Sequence, residues 1–395
     1  MGSQHTSYFP LKIIYIHSND LSKNETSETF VINNALSLAE AGAQVHLFVT
    51  NRSTQSGKDI LLSKFDLQSI PANLHLHVVK LKRKSHWTFY RTAAQFVKQP
   101  ENEGALIITR KHSVLPHLLI AKRPGQKLIF ETHDFFYDLS LRPDLKTGRR
   151  RKHSIIERVL FKKLDAIICL NKYQQRLYQE RLKVPVRVFP TGYNLVSTEA
   201  TERENLLLYI GAFEERKGID NILNLAELLD QRYKVMVIGS RRDAESESVN
   251  SEVHKRGIED RVEVKEWMSK KELNHLLSKA KIGLLPLKAG YFNEFLTVPL
   301  KYFDYAAFNL PVVASDFPSL KEYVEDGNNG FLVDWGDLKE VKRKVEQVMS
   351  DTECWERLSK NQQKKSKDLT WQKRAKQQLE YFAQITRSDE SSDSL

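Results

Sequence analysis

Short apolar runs alternate with helical patterns along most of the chain, and this alternation restricts the fold more than any other feature. Residues 206–211 and 311–315 are apolar at successive positions, which is typical of strands buried on both faces of a parallel sheet. A helical pattern at residues 220–229 follows the first of these runs. Repeated units of strand and helix predict an α/β protein with doubly wound parallel sheets, whose ligands bind beyond the carboxyl ends of the strands.

Length and linker composition predict two domains, because 395 residues are too many for one compact core. We assign residues 1–195 to the first domain and residues 204–367 to the second, with a polar, threonine-rich linker between them. A last helix is predicted at residues 368–387, and the acidic, serine-rich residues 388–395 are predicted to be disordered. Further strands are predicted at residues 11–17, 45–49, 74–81, 105–109, 127–131, 165–170, 186–189, 234–239, 261–265 and 282–287, and further helices at residues 30–41, 155–164, 172–182, 270–279, 338–349 and 355–367.

Composition excludes several classes of protein. Cys169 and Cys354 are the only cysteines, and their wide separation excludes a disulfide scaffold and a cysteine-based zinc site. No apolar run approaches the roughly 18 residues of a membrane-spanning helix. The N-terminus also lacks the charged region and apolar core of a signal peptide. These features predict a cytoplasmic protein.

Positive charge is concentrated in the first half of the chain. Residues 1–195 contain 30 Lys and Arg against 15 Asp and Glu, whereas residues 196–395 contain 31 against 35. Two readings remain open: peripheral contact with the anionic inner face of a membrane, or a solvated surface that binds nothing. Nucleic acid is not predicted as a partner, because no recognised nucleic-acid-binding motif accompanies the charge. The basic residues are Lys80, Lys82, Arg83, Lys84, the run 146–153, Arg158, Lys162 and Lys163.

The most informative stretch begins at Val298. Pro299 suits the first position of a helix, and the unpaired N–H groups of its first turn, around Val298 to Leu300, favour a phosphate. One turn further along, Lys301 and Asp304 lie three positions apart on the same side of the helix. A cation and a carboxylate beside an anion site suit a nucleotide.

This stretch resembles the donor-sugar signature of the retaining, GT-B-fold glycosyltransferases of family 4. The resemblance rests on Val-Pro-Leu-Lys-Tyr-Phe-Asp-Tyr at residues 298–305, Asn-Leu-Pro-Val-Val-Ala-Ser at residues 309–315 and Glu-Asp-Gly-Asn-Asn-Gly-Phe-Leu-Val at residues 325–333. It implies two Rossmann-like domains that face a cleft, the first for the acceptor and the second for the donor, with a C-terminal helix crossing back to the first domain.

The resemblance also implies an activity. The expected reaction is retaining, metal-independent transfer of a hexose from a UDP- or GDP-linked sugar to a glycan or lipid-linked acceptor, with no further cofactor. Such transfer would serve the synthesis of cell-surface polysaccharide or glycolipid. Two other interpretations remain. One is a catalytically silent homologue that acts as a nucleotide-binding or membrane-docked scaffold, and the other is a nucleotide-sugar epimerase of the same fold.

Individual residues take roles from the resemblance. Asp304 occupies the place of the family's ribose-binding acid, whereas Leu296 stands where the sugar-binding acid is expected. Glu294 or Asn293, in a predicted loop, could replace that acid. His133, after the predicted strand 127–131, is expected to line the donor sugar and the reacting centre. On the acceptor side, the polar loop after the first strand offers Asn19 and Ser27.

A second element, at the start of the second domain, is predicted to bind the diphosphate. A strand that ends at Gly211 leads through a turn to Gly218 and a helix, which is a phosphate-binding arrangement. Lys217 holds the family's lysine position, but Ala212 replaces the expected arginine, so Arg216 either compensates for it or points away. Lys217 and Arg216 are expected to stabilise the leaving diphosphate. Two further residues are assigned to the nucleotide: Gly239, and Trp267, which either stacks on the base or belongs to the core.

Overall fold

A computed structural model of the chain describes residues 10–23, 26–65, 67–81, 86–143, 145, 147–196, 202–240 and 243–387. Several predictions concern residues outside these ranges: the disordered tail at 388–395, most of the linker, and Lys82, Arg83, Lys84 and Lys146 of the basic segments. The chain forms two compact units. One contains the described residues up to Thr191 together with the last helix, and the other contains Gly192–Thr370.

The first unit is built on a parallel sheet. In its described residues the sheet has seven strands in the order β3-β2-β1-β4-β5-β6-β7, so it extends in both directions from β1. This order confirms the predicted doubly wound sheet. The strands are β1 (Lys12–Asp20), β2 (Gln44–Asn51), β3 (Leu74–Lys80), β4 (Leu106–Thr109), β5 (Lys127–Glu131), β6 (Ala166–Cys169) and β7 (Val186–Val188).

The second unit repeats this architecture. Its described residues form a six-stranded parallel sheet in the order β10-β9-β8-β11-β12-β13. The strand order reverses between β8 and β11, and such a reversal places the ligand crevice at the carboxyl ends of these two strands. The strands are β8 (Leu206–Ile210), β9 (Lys234–Ser240), β10 (Val262–Glu266), β11 (Ile282–Leu285), β12 (Val312–Ser315) and β13 (Gly330–Val333).

Helices cover the sheets and include four that the sequence patterns did not predict: α2, α3, α4 and α8. The polar sequence of α8, with Val249 and Val253 as its buried apolar residues, explains why no apolar stripe was visible there. The helices are α1 (Thr26–Glu40), α2 (Gly57–Phe65), α3 (Trp87–Val97), α4 (Leu115–Ala121), α5 (Thr147–Leu160), α6 (Lys172–Gln179), α7 (Ile219–Leu228), α8 (Asp243–Arg256), α9 (Lys270–Lys279), α10 (Leu300–Ala307), α11 (Leu338–Ser350), α12 (Thr352–Ser366) and α13 (Trp371–Arg387). In the described part of the chain, no helix is both long enough and apolar enough to cross a bilayer.

Three local predictions were wrong. The helix predicted at residues 155–164 starts earlier, at Thr147, and therefore includes most of the basic run that precedes it. The loop predicted around Glu294 is a π-helical turn over Phe292–Leu296, because buried Asn293 and Leu296 anchor it. Pro299 is the residue before α10 rather than its first residue, with ψ near 100°.

A buried tyrosine connects α10 to the two strands at the point of reversal. The Tyr305 hydroxyl donates to the carbonyl oxygen of Leu208 at 3.0 Å, and the Leu284 carbonyl oxygen lies 3.2 Å away. The Ile210 N–H donates to the same hydroxyl oxygen at 3.2 Å. The ring packs on Gly283, where a Cβ would lie 2.5 Å from it. These contacts hold α10 against β8 and β11.

Candidate functional site

Two glycines bring the backbone of β8 and β9 close together at the carboxyl edge of the second sheet. Gly211 follows β8 directly, and its N–H donates to the Ile238 carbonyl oxygen at 2.8 Å. Gly239 has a φ of 140°, and a Cβ there would lie 2.1 Å from the Gly211 carbonyl oxygen. Only glycine fits at residue 239. The edge therefore presents bare backbone, as a closely bound phosphate or ribose requires.

A single 3₁₀ turn, Glu215–Lys217, carries the two predicted phosphate-binding cations. Gly218 ends this turn with a φ of 74°, and a Cβ there would lie 1.7 Å from the Pro286 carbonyl oxygen. The Arg216 carbonyl oxygen accepts from the Lys288 N–H at 3.2 Å and from the Asn293 amide at 3.0 Å. The turn is thus packed against the segment that follows β11, which fixes its backbone.

Lys217 is a partly desolvated cation. Burial, with the positive charges of Arg216 and Lys301 against the negative charge of Glu214, lowers the pKa of its ammonium to about 8. In the described part of the chain, no carboxylate lies within ion-pair distance of its Nζ. A half-buried ammonium that lacks a close carboxylate and lies among other cations is stabilised when an anion binds to it.

Arg216 behaves differently from its neighbour. Its side chain is exposed, and its Nε donates to the Glu214 carboxylate at 2.6 Å. The guanidinium carbon also lies 6.0 Å from the centre of the Phe292 ring. Because Glu214 already neutralises this arginine, binding a phosphate through it requires that ion pair to open.

The first turn of α10 carries the remaining nucleotide candidates. Lys301 lies 3.3 Å from Asp304, and its Nζ lies 4.6 Å from the centre of the Trp267 ring. Trp267 is 42% exposed, so it is not the core residue that was one of its two predicted roles. At the same place, Val298 and Pro299 precede α10 and Leu300 begins it. A cation, a carboxylate and an exposed aromatic face therefore lie together beside free helical N–H groups.

Neither candidate for the missing sugar-binding acid is free to act without rearrangement. The buried Asn293 amide donates to the carbonyl oxygens of Arg216 and Lys288, so it connects two backbone segments. The Glu294 carboxylate accepts from the Gly290 N–H at 2.8 Å. Leu296 is buried and apolar. Of the three residues, only Glu294 offers a partly exposed carboxylate.

His133 lies in a well-anchored loop after β5. The Asp134 carbonyl oxygen accepts from Gln174 at 2.8 Å, and its carboxylate pairs with Arg142. The His133 side chain is exposed. The surrounding protein and the positive charge of Arg110 lower its pKa. His133 is therefore mainly a neutral imidazole at neutral pH.

The two residues predicted for the acceptor side bond to each other. The Asn19 amide donates to the Ser27 hydroxyl at 2.6 Å, which joins the end of β1 to the start of α1. Both side chains are partly buried. Their polar groups thus shape the backbone after β1, and an acceptor would have to compete with this bond.

Sequence reasoning missed a buried charged cluster in the first unit, formed by Tyr15, Arg110, Glu131 and Arg374. Arg374, on α13, donates to Glu131 at 2.5 Å, and the Tyr15 hydroxyl donates to the same carboxylate. Burial raises the pKa of Glu131, but the charges of Arg374 and Arg110 outweigh this effect and hold the pKa below its usual value. No sequence spacing could reveal this cluster, because its members come from distant elements.

Metal binding has no evident site within the ranges that the structure describes. No group of three His, Cys, Asp or Glu side chains there is arranged to hold a metal ion. Three histidines do lie together on β2 and β3, where His46 stacks on His75 with ring centres 4.7 Å apart and bonds to His77 at 3.0 Å. Stacked rings cannot all direct a nitrogen at one ion, so this cluster is not a metal centre.

Two family profiles match adjacent parts of the chain. The profile described as Glycosyl transferases group 1 matches residues 195–365, and the profile described as Glycosyltransferase Family 4 matches residues 27–196. Together they include the second sheet, the first sheet except β1, and every nucleotide candidate described above.

The chain also matches curated proteins at low sequence identity over part of its length. The chain is 26% identical over 230 residues to an uncharacterized 41.2 kDa protein in the cps region of Klebsiella pneumoniae, across 54% of this chain and 59% of the relative. It is 27% identical over 229 residues to an uncharacterized glycosyltransferase of Methanocaldococcus jannaschii, across 56% of this chain and 61% of the relative. The matches therefore span about three fifths of the length of these relatives.

Solved structures share the fold over nearly the whole chain. One is HepE of Anabaena in complex with UDP-glucose, with a TM-score of 0.71 and 15% identity, across 95% of this chain and 100% of that chain. At 15% identity this similarity shows a shared fold and says nothing about which ligand the chain binds.

Proposed function

Since the chain belongs to the group 1 glycosyltransferases of family 4 and has their GT-B fold, we propose that it transfers a sugar from a nucleoside-diphosphate sugar to a glycan or lipid-linked acceptor. The observation that supports this most directly is the position of Lys217. Its unpaired ammonium lies close enough to Lys301, on the first turn of α10, for the two charges to interact. Both flank the carboxyl ends of β8 and β11, where the strand order reverses.

The cations act on the leaving group. When the bond between the anomeric carbon and the diphosphate oxygen breaks, negative charge develops on the diphosphate. Lys217 and the free N–H groups in the first turn of α10 are preorganised to stabilise that charge. Because they are in place before the reaction, little reorganisation is needed as the bond breaks. Arg216 can add to them once it is released from Glu214.

Asp304 and Trp267 suit the nucleoside. Binding of a diphosphate draws Lys301 away from Asp304, which leaves the carboxylate free to accept from the ribose hydroxyls. The exposed Trp267 ring then offers its face to a uracil or guanine base. In the first unit, His133 is proposed to line the donor sugar as a neutral imidazole, able to hold one hydrogen bond to a hydroxyl. Glu294 is the proposed substitute for the missing sugar-binding acid.

Binding and turnover test the proposal together. We expect UDP or GDP to bind, the matching sugar nucleotide to be hydrolysed slowly without an acceptor, and both to persist in excess chelator, because protein cations replace a metal. The measurements are calorimetric titration with each nucleotide and product analysis by NMR, which also reports whether the anomeric configuration is retained. Turnover that vanishes in chelator and returns with manganese would contradict the metal-independent mechanism. Tight binding without any turnover would favour the silent scaffold.

We also propose that the protein acts at an anionic membrane surface, in the synthesis of cell-surface polysaccharide or glycolipid. The support comes from α5, where Arg151, Ile155, Arg158 and Val159 share one face. Ile155 is 63% exposed and Val159 is 53% exposed, which is unusual for large apolar side chains flanked by cations. Exposed apolar residues between basic ones are typical of helices that lie in a bilayer interface.

Vesicle sedimentation tests the membrane proposal. We expect the protein to bind phosphatidylglycerol vesicles but not phosphatidylcholine vesicles, and the binding to weaken as salt screens the charges. The double variant Ile155→Ser/Val159→Ser should reduce the binding by about tenfold or more, since each loses the burial of a large apolar side chain. Leu228→Ser, an exposed apolar position on α7, is the matched control. Equal binding by both variants would exclude α5 as the contact.

A further inference from the structure

The charges of the buried cluster around Glu131 do not balance. Arg110 is 4% exposed, Arg374 is 3% exposed and Glu131 is 0% exposed, so two guanidinium groups share one carboxylate. The remaining member of the cluster, Tyr15, is neutral, because burial raises the pKa of its hydroxyl well above 10. In the described residues, neither arginine has a second carboxylate within ion-pair distance. One uncompensated positive charge is therefore buried, which costs free energy.

The two arginines differ in how well they are satisfied. Arg374 donates to Glu131 at 2.5 Å, to Asn34 at 2.5 Å and to the Pro190 carbonyl oxygen at 2.8 Å. Arg110 lies 3.4 Å from Glu131 without hydrogen-bond geometry, and its Nε and Nη1 have no acceptor in the described part of the chain. Its main contact is with the Phe30 ring, whose centre lies 3.9 Å away. The excess charge and the unsatisfied donors thus both belong to Arg110.

A second buried group without partners lies beside it. His17 is 1% exposed, and neither of its ring nitrogens has a hydrogen-bond partner in the described residues. Ile16 of β1 is in register with Thr109 of β4, so His17 and Arg110, the next residues, are neighbours across the sheet. This pair lies where the strand order reverses in the first sheet, between β1 and β4. Such a position is the usual ligand crevice of a doubly wound sheet.

We propose that Arg110 and His17 form an oxyanion-binding site in the first unit, which holds a phosphate group carried by the acceptor. An anion there would neutralise the excess charge of Arg110 and accept from its Nε, and His17 would supply a further N–H. The charges of Lys111 and of the exposed His133 act on His17, so both residues lie near the site. The attribution to the acceptor rests on the proposed function, whereas the anion site itself does not.

The first experiment uses inorganic phosphate as the probe. Thermal denaturation is followed in sodium phosphate and in sodium chloride at equal ionic strength, in the Lys217→Ala background, so that the proposed diphosphate site cannot supply the response. We expect phosphate to raise the melting temperature by about 4 °C or more relative to chloride. Arg110→Met should remove this difference, while Arg91→Met, at an exposed position on α3, should retain it. Acetate in place of phosphate tests whether a carboxylate suffices.

The phosphate-free control separates ligand binding from a purely structural role. If Arg110 carries uncompensated charge, Arg110→Met should leave the melting temperature in chloride unchanged or higher. In the ring NMR spectrum, the His17 signal, assigned with His17→Gln, should move with phosphate and not with chloride. A melting temperature lowered by Arg110→Met in chloride, or equal responses to phosphate and chloride, would overturn the proposal. A phosphate response confined to protein with intact Lys217 would also overturn it, while supporting the donor site.

Discussion

Replacing Lys217 by alanine is expected to lower the turnover of the sugar nucleotide by about 100-fold or more. Removal of one preorganised donor from the site of developing negative charge has effects of this size. The half-buried Lys217 also lacks the close carboxylate that Arg216 has. Arg216→Ala should therefore cost less, about tenfold. The measurement is kcat and KM for donor hydrolysis, with Lys270→Ala, an exposed lysine on α9, as the control.

The pH dependence of nucleotide binding checks the same assignment without catalysis. Only the ammonium form of Lys217 attracts the diphosphate, and its pKa in the free protein is about 8. The affinity should therefore be near its maximum at about pH 7, about half of that at pH 8, and should fall up to tenfold per unit as the pH rises further. In Lys217→Ala this decline should disappear. An unchanged pH profile in that variant would assign the phosphate contact to Lys301 or to Arg216 instead.

Replacing Arg374 by methionine is expected to lower the free energy of unfolding of the first unit by about 3 kcal/mol or more, because three buried acceptors lose their donor. The substitution leaves the Asn34 side chain and the Pro190 carbonyl oxygen without their donor. It also removes the hydrogen bond from α13 to Asn34 of α1, whereas the packing of Phe30 on Trp371 remains. Urea denaturation followed by tryptophan fluorescence measures the loss.

Two further variants test the reason given for this loss of stability. Lys376→Met also replaces a cation by methionine, but on the exposed side of α13, and should alter stability by less than about 0.5 kcal/mol. Arg374→Lys keeps the charge but lacks the planar guanidinium group that reaches three acceptors at once. This variant should therefore recover only part of the lost stability. Equal stability of Arg374→Met and the unaltered protein would show that packing of α13 alone holds it in place.

Local pattern was sufficient for most of the elements. The predicted helix at residues 270–279 matches α9 at both ends. Its start was recognisable because Ser269 and Glu272 form a capping box that lies within four residues of sequence. The apolar strands were recognisable for the same reason. The π-helical turn was not, because its anchors, such as the bond from Ser319 to the Asn293 carbonyl oxygen, come from elsewhere in the chain.

The sequence by itself determined the two doubly wound sheets, the glycine-bounded turn with Lys217, and the signature that begins at Val298. These features depend on periodicity and on backbone conformation, which neighbouring residues largely control. Only the tertiary structure decided that Glu214 neutralises Arg216, that Lys217 lies near Lys301, and that Arg110 and Arg374 share Glu131. The free energy of a charged side chain depends on its burial and on the charges around it. Both depend on residues that are far apart in the chain.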